Sequence, residues 1–459
     1  AHNHGLFPPP AEQPPQISRS ADQSPFDRIG GWCYAYPAVS GFGFSIDKNG
    51  RNEMGLFHLY CRIYQGAFKL VSPLLPWREP ELLEGPGSIL ELPGLIRRKG
   101  AVPLLIVTDK GLISLGLMNP LLDKLKEEGL EYHIYDKTVP NPTIHNSEEA
   151  AALYREKSCR GIIAFGGGSP MDCAKAAGAR IARPKKALSS MKGVLRVLAK
   201  LPPLFAVPTT AGTGSEATLA AVVSNPDTHE KYAINDHALI PRVAVLDPEL
   251  TVGLPGHITS TTGMDALTHA VEAFIGRSNT GETEAAAVEA TKLILENLIS
   301  VYQNGKDLAG RQTLLKAAYL AGKAFTRAYV GNVHAIAHTL GGFYGVPHGL
   351  ANSVILPHIL RRYGRSAEPR LALLARLSGA AGGDEPEEKA AEGFIRRIEE
   401  MNRAMNIPDH IDTIKDDDIP LMAERAFSEA NPLYPVPLIF SKNDFVAMYH
   451  IIRGKREES

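Results

Sequence analysis

Cysteine is scarce in this chain of 459 residues. The four present, Cys33, Cys61, Cys159 and Cys173, include no close-spaced pair, so neither a disulfide framework nor a thiolate zinc site is expected. That usage suits a reducing compartment, and a cytoplasmic location is the expectation. Net charge is also lacking: 49 Lys and Arg against 50 Asp and Glu leave −1. No basic field exists to draw nucleic acid or an anionic membrane, and the expected partner is a small molecule. Long apolar runs are missing too. The nearest to one, LFHLYCRIYQGAFKLVSPLL (56–75), is broken by Arg62 and Lys69 and barely reaches the ~20 residues of a membrane span. An amphipathic helix packed on the body is expected there, and no internal repeat is found.

Residues 1–53 are rich in proline, serine and glycine without a sustained apolar period. They are expected to form a disordered or tag-like extension with no catalytic role. From about residue 100 the chain alternates strand-like runs (PLLIVTD, EYHIYD, GIIAFGGG, LFAVPTT, VAVLDP) with helical stretches, the pattern of a mainly parallel sheet covered by helices. After about residue 253 the strand signals stop. Long helical runs follow, among them ETEAAAVEATKLILENLISVYQNG and a stretch with Phe394, Ile398, Met401 and Met405 on one core-facing side. The expected organisation is an α/β dinucleotide-binding domain over 54–253 and an all-helical domain over 254–459.

Two loops carry nucleotide chemistry. GIIAFGGGSPMDCAKAAG reads as a strand, three glycines at 166–168, and a helix opened by Ser169 as N-cap with Pro170 first inside it. Bare backbone and helical N–H groups suit a diphosphate, although GGGS is neither G-x-G-x-x-G nor a P-loop. LFAVPTTAGTGSEAT adds hydroxyls at Thr209, Thr210, Thr213, Ser215 and Thr218 after another strand. Asp109, ending the first strand run, can accept hydrogen bonds from an adenosine ribose and repel a 2′-phosphate, which favours NAD over NADP. It can equally be a simple helix cap.

A third group concerns a metal. GMDALTHAVEAF (263–274) places Asp265 and His269 four residues apart on one helix face, and GNVHAIAHTLGGFYGVPHGLANSVILPH supplies His334, His338, His348 and His358. One carboxylate and three imidazoles could close a divalent site, while an isolated Asp–His pair could also satisfy itself by a hydrogen bond. Together GGGSPMDCAKA, PTTAGTGSEAT, MDALTHAVEAF and NVHAIAHTLGGFYGVPHG resemble the iron-containing alcohol dehydrogenase family, from roughly Trp77 to NPLYPVP (431–437). That resemblance implies a dehydroquinate synthase-like architecture, with the metal on Asp265, His269, His334 and His348. It implies His338 near the nicotinamide, and NAD contacts at Asp109, Asn141, Gly167, Gly168, Ser169, Thr209, Thr210, Thr213, Thr218 and Lys231. It further implies Fe²⁺, with Zn²⁺ possible, and a homo-oligomer, dimer or larger. His133 and His358 match no family role and are read as structural.

The implied reaction is hydride transfer between a primary alcohol or aldehyde and the nicotinamide, with the cation polarising the substrate oxygen. A lyase resembling dehydroquinate synthase is the alternative from another class. It would need a cluster of basic residues for a phosphorylated, carboxylated substrate, and the motifs here sit among apolar residues and glycines. A glycerol or diol dehydrogenase is a nearer alternative, but the glycerol pattern lacks a histidine at the place of His269. Phe343, Phe427, Leu433 and Tyr434 are expected to line an apolar substrate pocket.

Overall fold

Four of the five apolar runs form the middle of one sheet because each is buried on both faces, and the fifth, EYHIYD, is its half-buried edge. The structure, a computed structural model, describes residues 51–454 apart from 76 and 229, so the extension expected over 1–53 lies almost wholly outside the described residues. The first part contains α1 (Arg51–Val71), β1 (Glu81–Glu84), α2 (Leu92–Arg98), β2 (Leu104–Val107), α3 (Lys110–Ser114), α4 (Asn119–Glu127), β3 (Tyr132–Tyr135), α5 (Ile144–Glu156) and β4 (Gly161–Gly166). It continues with α6 (Gly168–Ala182), β5 (Gly193–Val194), β6 (Leu204–Pro208), β7 (Ala220–Asn225), β8 (Glu230–Asn235) and β9 (Val243–Leu246).

The main sheet has the order β1-β9-β6-β4-β2-β3, and every neighbouring pair in it is parallel. All residues of β2, β4, β6 and β9 are buried, as expected for parallel strands covered by helices on both faces. From β2 the chain steps outward to β3, then back across to β4, β6 and β9. The topology therefore reverses between β2 and β4, and a crevice opens beyond the carboxyl ends of these two strands. Two features have no counterpart in the sequence reading. Glu81–Glu84 adds an edge strand, and β5, β8 and β7 form a separate three-stranded sheet with an antiparallel β7–β8 pair.

Among the described residues no strand follows Leu246. The rest is α7 (Gly256–Ile275), α8 (Gly281–Gln303), α9 (Leu308–Ala328), α10 (Asn332–Tyr344), α11 (His348–Tyr363), α12 (Glu368–Leu377), α13 (Glu387–Ala404), α14 (Ile419–Ala430) and α15 (Lys442–Arg453). In α13, Phe394, Ile398 and Met401 face the core as expected, and Met405 is buried at its C-cap. Helix α7 is unusual in burying polar residues along with its apolar ones: Asp265, Thr268, His269 and Glu272 are each at most 4% exposed. Sheet and helices touch where backbone meets backbone. A Cβ on Gly214, which has φ +58°, would lie 2.5 Å from the Ala318 carbonyl oxygen and 2.7 Å from Cα of Gly322 on α9. Only glycine permits that approach, and it brings the loop after β6 against the helical part.

The 56–75 segment is helical through Val71, as expected. None of the described helices is long and apolar enough to cross a membrane.

Candidate functional site

Helical spacing puts Asp265, His269 and Glu272 on one side of α7. Helix α10 adds His334 and His338 one turn apart, and α11 begins with His348. One ligand atom from each of Asp265, His269, His334 and His348 falls within 4.8 Å of the others. Asp265, His269 and His334 are buried, and His348 less so. His334 presents Nε2 inward because its Nδ1–H donates to Glu272 Oε2 at 2.6 Å. Glu272 also accepts from the backbone N–H groups of Gly331 and Val333, both at 2.9 Å. A carboxylate behind a histidine in this way fixes its tautomer and orientation.

The donor set fits a cation. Asp265 Oδ1, His334 Nε2 and His348 Nε2 converge on the amide nitrogen of Asn352 at 2.6, 3.1 and 3.2 Å, so their lone pairs already point at the positive end of a dipole. Nδ1 of His269 is buried with no hydrogen-bond partner, a costly state for a polar atom that a cation would satisfy. Burial, reinforced by neighbouring histidines, holds the His269 and His348 imidazoles well below their usual range. For His348 the Lys231 ammonium adds to this. Neutral imidazoles and one carboxylate are what a first-row divalent metal takes. His338 lies beside the group rather than within it: its ring stacks on His348 with centroids 5.3 Å apart, and its Nδ1 pairs with Glu429 Oε1 at 2.6 Å.

The nucleotide side comes from the carboxyl ends of the strands. After β4, Gly167 is the N-cap of α6 with no side-chain cap, so the helix starts at Gly168. This corrects the reading of Ser169 as cap and Pro170 as first residue. Glycine at the cap leaves the Ser169 hydroxyl free of a capping bond, and it lines the cleft instead. The loop after β6 closes on this turn: Thr210 Oγ1 is 3.2 Å from where a Cβ on Gly167 would sit, and Thr213 Cγ2 is 2.7 Å from one on Gly168. Thr209 N–H bonds to the Gly166 carbonyl at 3.1 Å. Asp109 caps α3, accepting from Leu112 N–H at 2.9 Å, at the end of the strand next to β4. Lys231 Nζ donates to Asn141 Oδ1 at 2.8 Å.

The two sets meet in one cleft of about 1040 Å³, its open mouth included. Asn141, Gly168, Ser169, Thr213, Thr218 and Lys231 line it from one side, and His269, His334, His338 and His348 from the other. Asp265, Asp109, Gly167, Thr209 and Thr210 are not among its lining residues. Among the described residues lining the cleft, Lys231 is the only lysine or arginine. Of the residues expected to line a substrate pocket, Leu433 and Tyr434 line the cleft, but Phe343 and Phe427 do not. Phe325, Tyr329 and Val330, at and just after the end of α9, take their place. Phe343 lies under the Arg425 guanidinium instead. His133 pairs with Glu131 and His358 with the Asp409 carbonyl, away from the cleft.

Three polar residues of the site escaped the sequence reading. Glu272 had a signal, since it follows His269 by three on the same helix face. Asn352 follows His348 by four, and Glu429 is joined to His338 only by tertiary packing.

Residues 80–248 match the family described as iron-containing alcohol dehydrogenase, and residues 259–452 match the Fe-containing alcohol dehydrogenase family, C-terminal. Alcohol dehydrogenase 4 of Saccharomyces cerevisiae (strain YJM789) is 39% identical over 368 residues, covering 79% of this chain and 94% of the relative. An NAD-dependent methanol dehydrogenase of Bacillus methanolicus is 36% identical over 352 residues, covering 76% and 92%. The crystal structure of a 1,3-propanediol oxidoreductase superposes with a TM-score of 0.78 at 36% identity, over 81% of this chain and 98% of that one.

Proposed function

The chain belongs to the iron-containing alcohol dehydrogenase family, and on that premise we propose the substrate class and the residue roles of an NAD(H)-dependent alcohol dehydrogenase and aldehyde reductase. The substrates are short primary alcohols and aldehydes, diols included. The observation that carries this reading is the single cleft in which a glycine-opened helix faces a cluster of one carboxylate and three imidazoles.

Asp265, His269, His334 and His348 would hold the divalent cation, Fe²⁺ with Zn²⁺ as competitor. Bound there it would supply Lewis acidity to a substrate oxygen. NAD would lie along Asn141, Gly167, Gly168, Ser169, Thr209, Thr210, Thr213, Thr218 and Lys231, with Asp109 facing its adenosine ribose. Glycine at 168 lets backbone approach the diphosphate, and the first turn of α6 offers N–H groups to it. Phe325, Tyr329, Leu433 and Tyr434 keep water from the reacting carbon. His338, its Nδ1–H fixed on Glu429, presents the Nε2 lone pair, which would take up the proton of an alcohol substrate and return it to the oxygen when an aldehyde is reduced. The names of the relatives, methanol dehydrogenase and 1,3-propanediol oxidoreductase, support small uncharged substrates, and so does a cleft whose one ammonium is engaged by Asn141. A phosphorylated or carboxylated lyase substrate would find no basic cluster there.

The same proposal includes the domain division at 253/254, a homo-oligomer, and a cytoplasmic location supported by three buried free thiols, Cys61, Cys159 and Cys173. The test is NADH oxidation with aldehydes of two to six carbons, beside one phosphorylated and one carboxylated analogue, after loading with Fe²⁺ or Zn²⁺. Metal-dependent turnover of the uncharged series is expected. A strong preference for either charged analogue would overturn the substrate class, and full activity of a metal-free preparation would overturn the ligand set.

A further inference from the structure

Helix α1 lies ahead of the residues that match the family, yet its inner face is bonded to the wall of the substrate cleft. Gln65 is 5% exposed, and its amide donates to the carbonyls of Pro432 at 3.0 Å and Tyr434 at 2.8 Å. Its own oxygen accepts from Arg62 Nη1 at 2.8 Å. The same guanidinium donates to the carbonyls of Val436 at 2.8 Å and Pro437 at 3.0 Å. Four carbonyls of one short segment thus accept from two adjacent turns of a helix some 370 positions earlier, although the Tyr434 carbonyl also accepts from Val436 N–H at 2.9 Å and the Pro437 carbonyl from Arg277 Nη2 at 3.3 Å.

That segment needs them. NPLYPVP (431–437) has three prolines and no helix or strand, so it holds itself with few bonds of its own, and buried carbonyls must find donors elsewhere. It is also the segment whose Leu433 and Tyr434 line the cleft. The Tyr434 hydroxyl donates to Glu429 Oε1 at 2.7 Å, the oxygen that engages His338. Further along α1, Phe68 meets Tyr329 edge-on with ring centroids 5.6 Å apart, and Tyr329 lines the same cleft. Helix α1 therefore braces two separate pieces of the substrate wall and none of the nucleotide side.

We propose that Arg62 and Gln65 are positioning residues that set the chain-length preference of the enzyme by holding the Pro432–Pro437 wall in place. The inference rests on reading this cleft as the aldehyde pocket. Apolar pockets discriminate by how closely their walls fit each methylene, so a wall that loses its donors widens its tolerance before it loses chemistry.

The experiment uses the full chain loaded with one metal and compares kcat and KM for propanal and hexanal, with KM for NADH alongside. Gln65→Ala should change the hexanal-to-propanal ratio of kcat/KM by at least about threefold through KM, with kcat for propanal and KM for NADH held. Gln65→Glu keeps the side chain's shape but sets carboxylate oxygens against two carbonyls. It should behave like Gln65→Ala, whereas a residue that merely fills space would tolerate it. Ile63→Ala, on the exposed side of α1, should match the unmodified enzyme. If Gln65→Ala does not fold, Arg62→Lys reads the same ratio, because it keeps the charge but loses the fork that reaches the Val436 and Pro437 carbonyls together. An unchanged ratio in these variants, or an equal loss for every aldehyde together with a raised KM for NADH, overturns the proposal. An unmodified enzyme that turns over none of the aldehydes overturns the reading of the pocket, and this inference with it.

Discussion

Glu272 accepts three hydrogen bonds, from Gly331 N–H, Val333 N–H and His334 Nδ1. Glutamine in its place would turn an N–H donor toward another donor. Glu272→Gln is expected to weaken metal affinity by about 10- to 100-fold, the usual cost of losing such support, and chelator competition measures this without reference to turnover. Unchanged affinity would leave Glu272 a purely structural residue. Asp109 is both a helix cap and a charge, and asparagine separates the two because it caps as well. Asp109→Asn should therefore keep the melting temperature while raising the NADPH-to-NADH ratio of kcat/KM on the order of tenfold; no change in the ratio removes its role in cofactor choice. Glu216 tests burial alone. It is 1% exposed, and burial pushes its carboxyl up from 4.5 to about 7, the neighbouring Lys175 ammonium opposing this only in part. A carboxyl raised in the fold favours folding while it stays protonated; that advantage is lost as pH rises from about 4.5 and is gone above 7. Glu216→Gln should melt with the unmodified protein at pH 5 and above it at pH 8. A gap of equal size at both pH values would show that the carboxyl does not titrate this way.

At the scale of elements, legibility follows burial and locality. The strands β2, β4, β6 and β9 were plain because continuous apolar runs bounded by Gly, Pro or Asp leave few alternatives. β7 and β8 were not, since AAVVSN and EKYAIN carry half-buried polar positions, and the edge strand ELLE looks no different from a loop. The cluster of Asp265, His269, His334 and His348 was legible through spacing along α7 and α10 and through the family motifs, whereas Glu429 and Phe325 reach the cleft region only by packing of α14 and α9. The start of α6 was misplaced by two residues for a local reason: serine is the commoner cap, but here glycine caps and serine turns to the cleft. This gives α6 a sharp test. A methyl group on residue 168 would come within 2.7 Å of Thr213 Cγ2, closing the approach between helix and loop where the diphosphate would lie. Gly168→Ala should raise the dissociation constant of NADH, read by fluorescence titration, while metal content stays the same. Normal NADH binding would place the diphosphate elsewhere.

The whole molecule from Leu56 onward is one compact unit, although it is built from a sheet part and a helical part. The reason lies in the seam. Gly214 meets α9 backbone to backbone, the Leu219 N–H donates to Thr326 Oγ1 at 3.1 Å, and the cleft takes lining residues from both parts along its length. Parts joined this way are expected to unfold together. A ligand that binds the folded state alone stabilises it by RT ln(1 + [L]/Kd), about 2.7 kcal/mol at a hundredfold excess over Kd. If the parts were independent, metal would raise the melting of the helical part only, and calorimetry would show two peaks drawing apart. The seam predicts the other result: a single transition that moves as a whole when Zn²⁺ is added, and moves again with NAD. Chelation should return it to its starting temperature. Two resolved transitions, one responding to metal and the other to NAD, would mean that the glycine crossing between the β6 loop and α9 does not couple the parts, and the cleft would then have to be treated as a hinge between independent bodies.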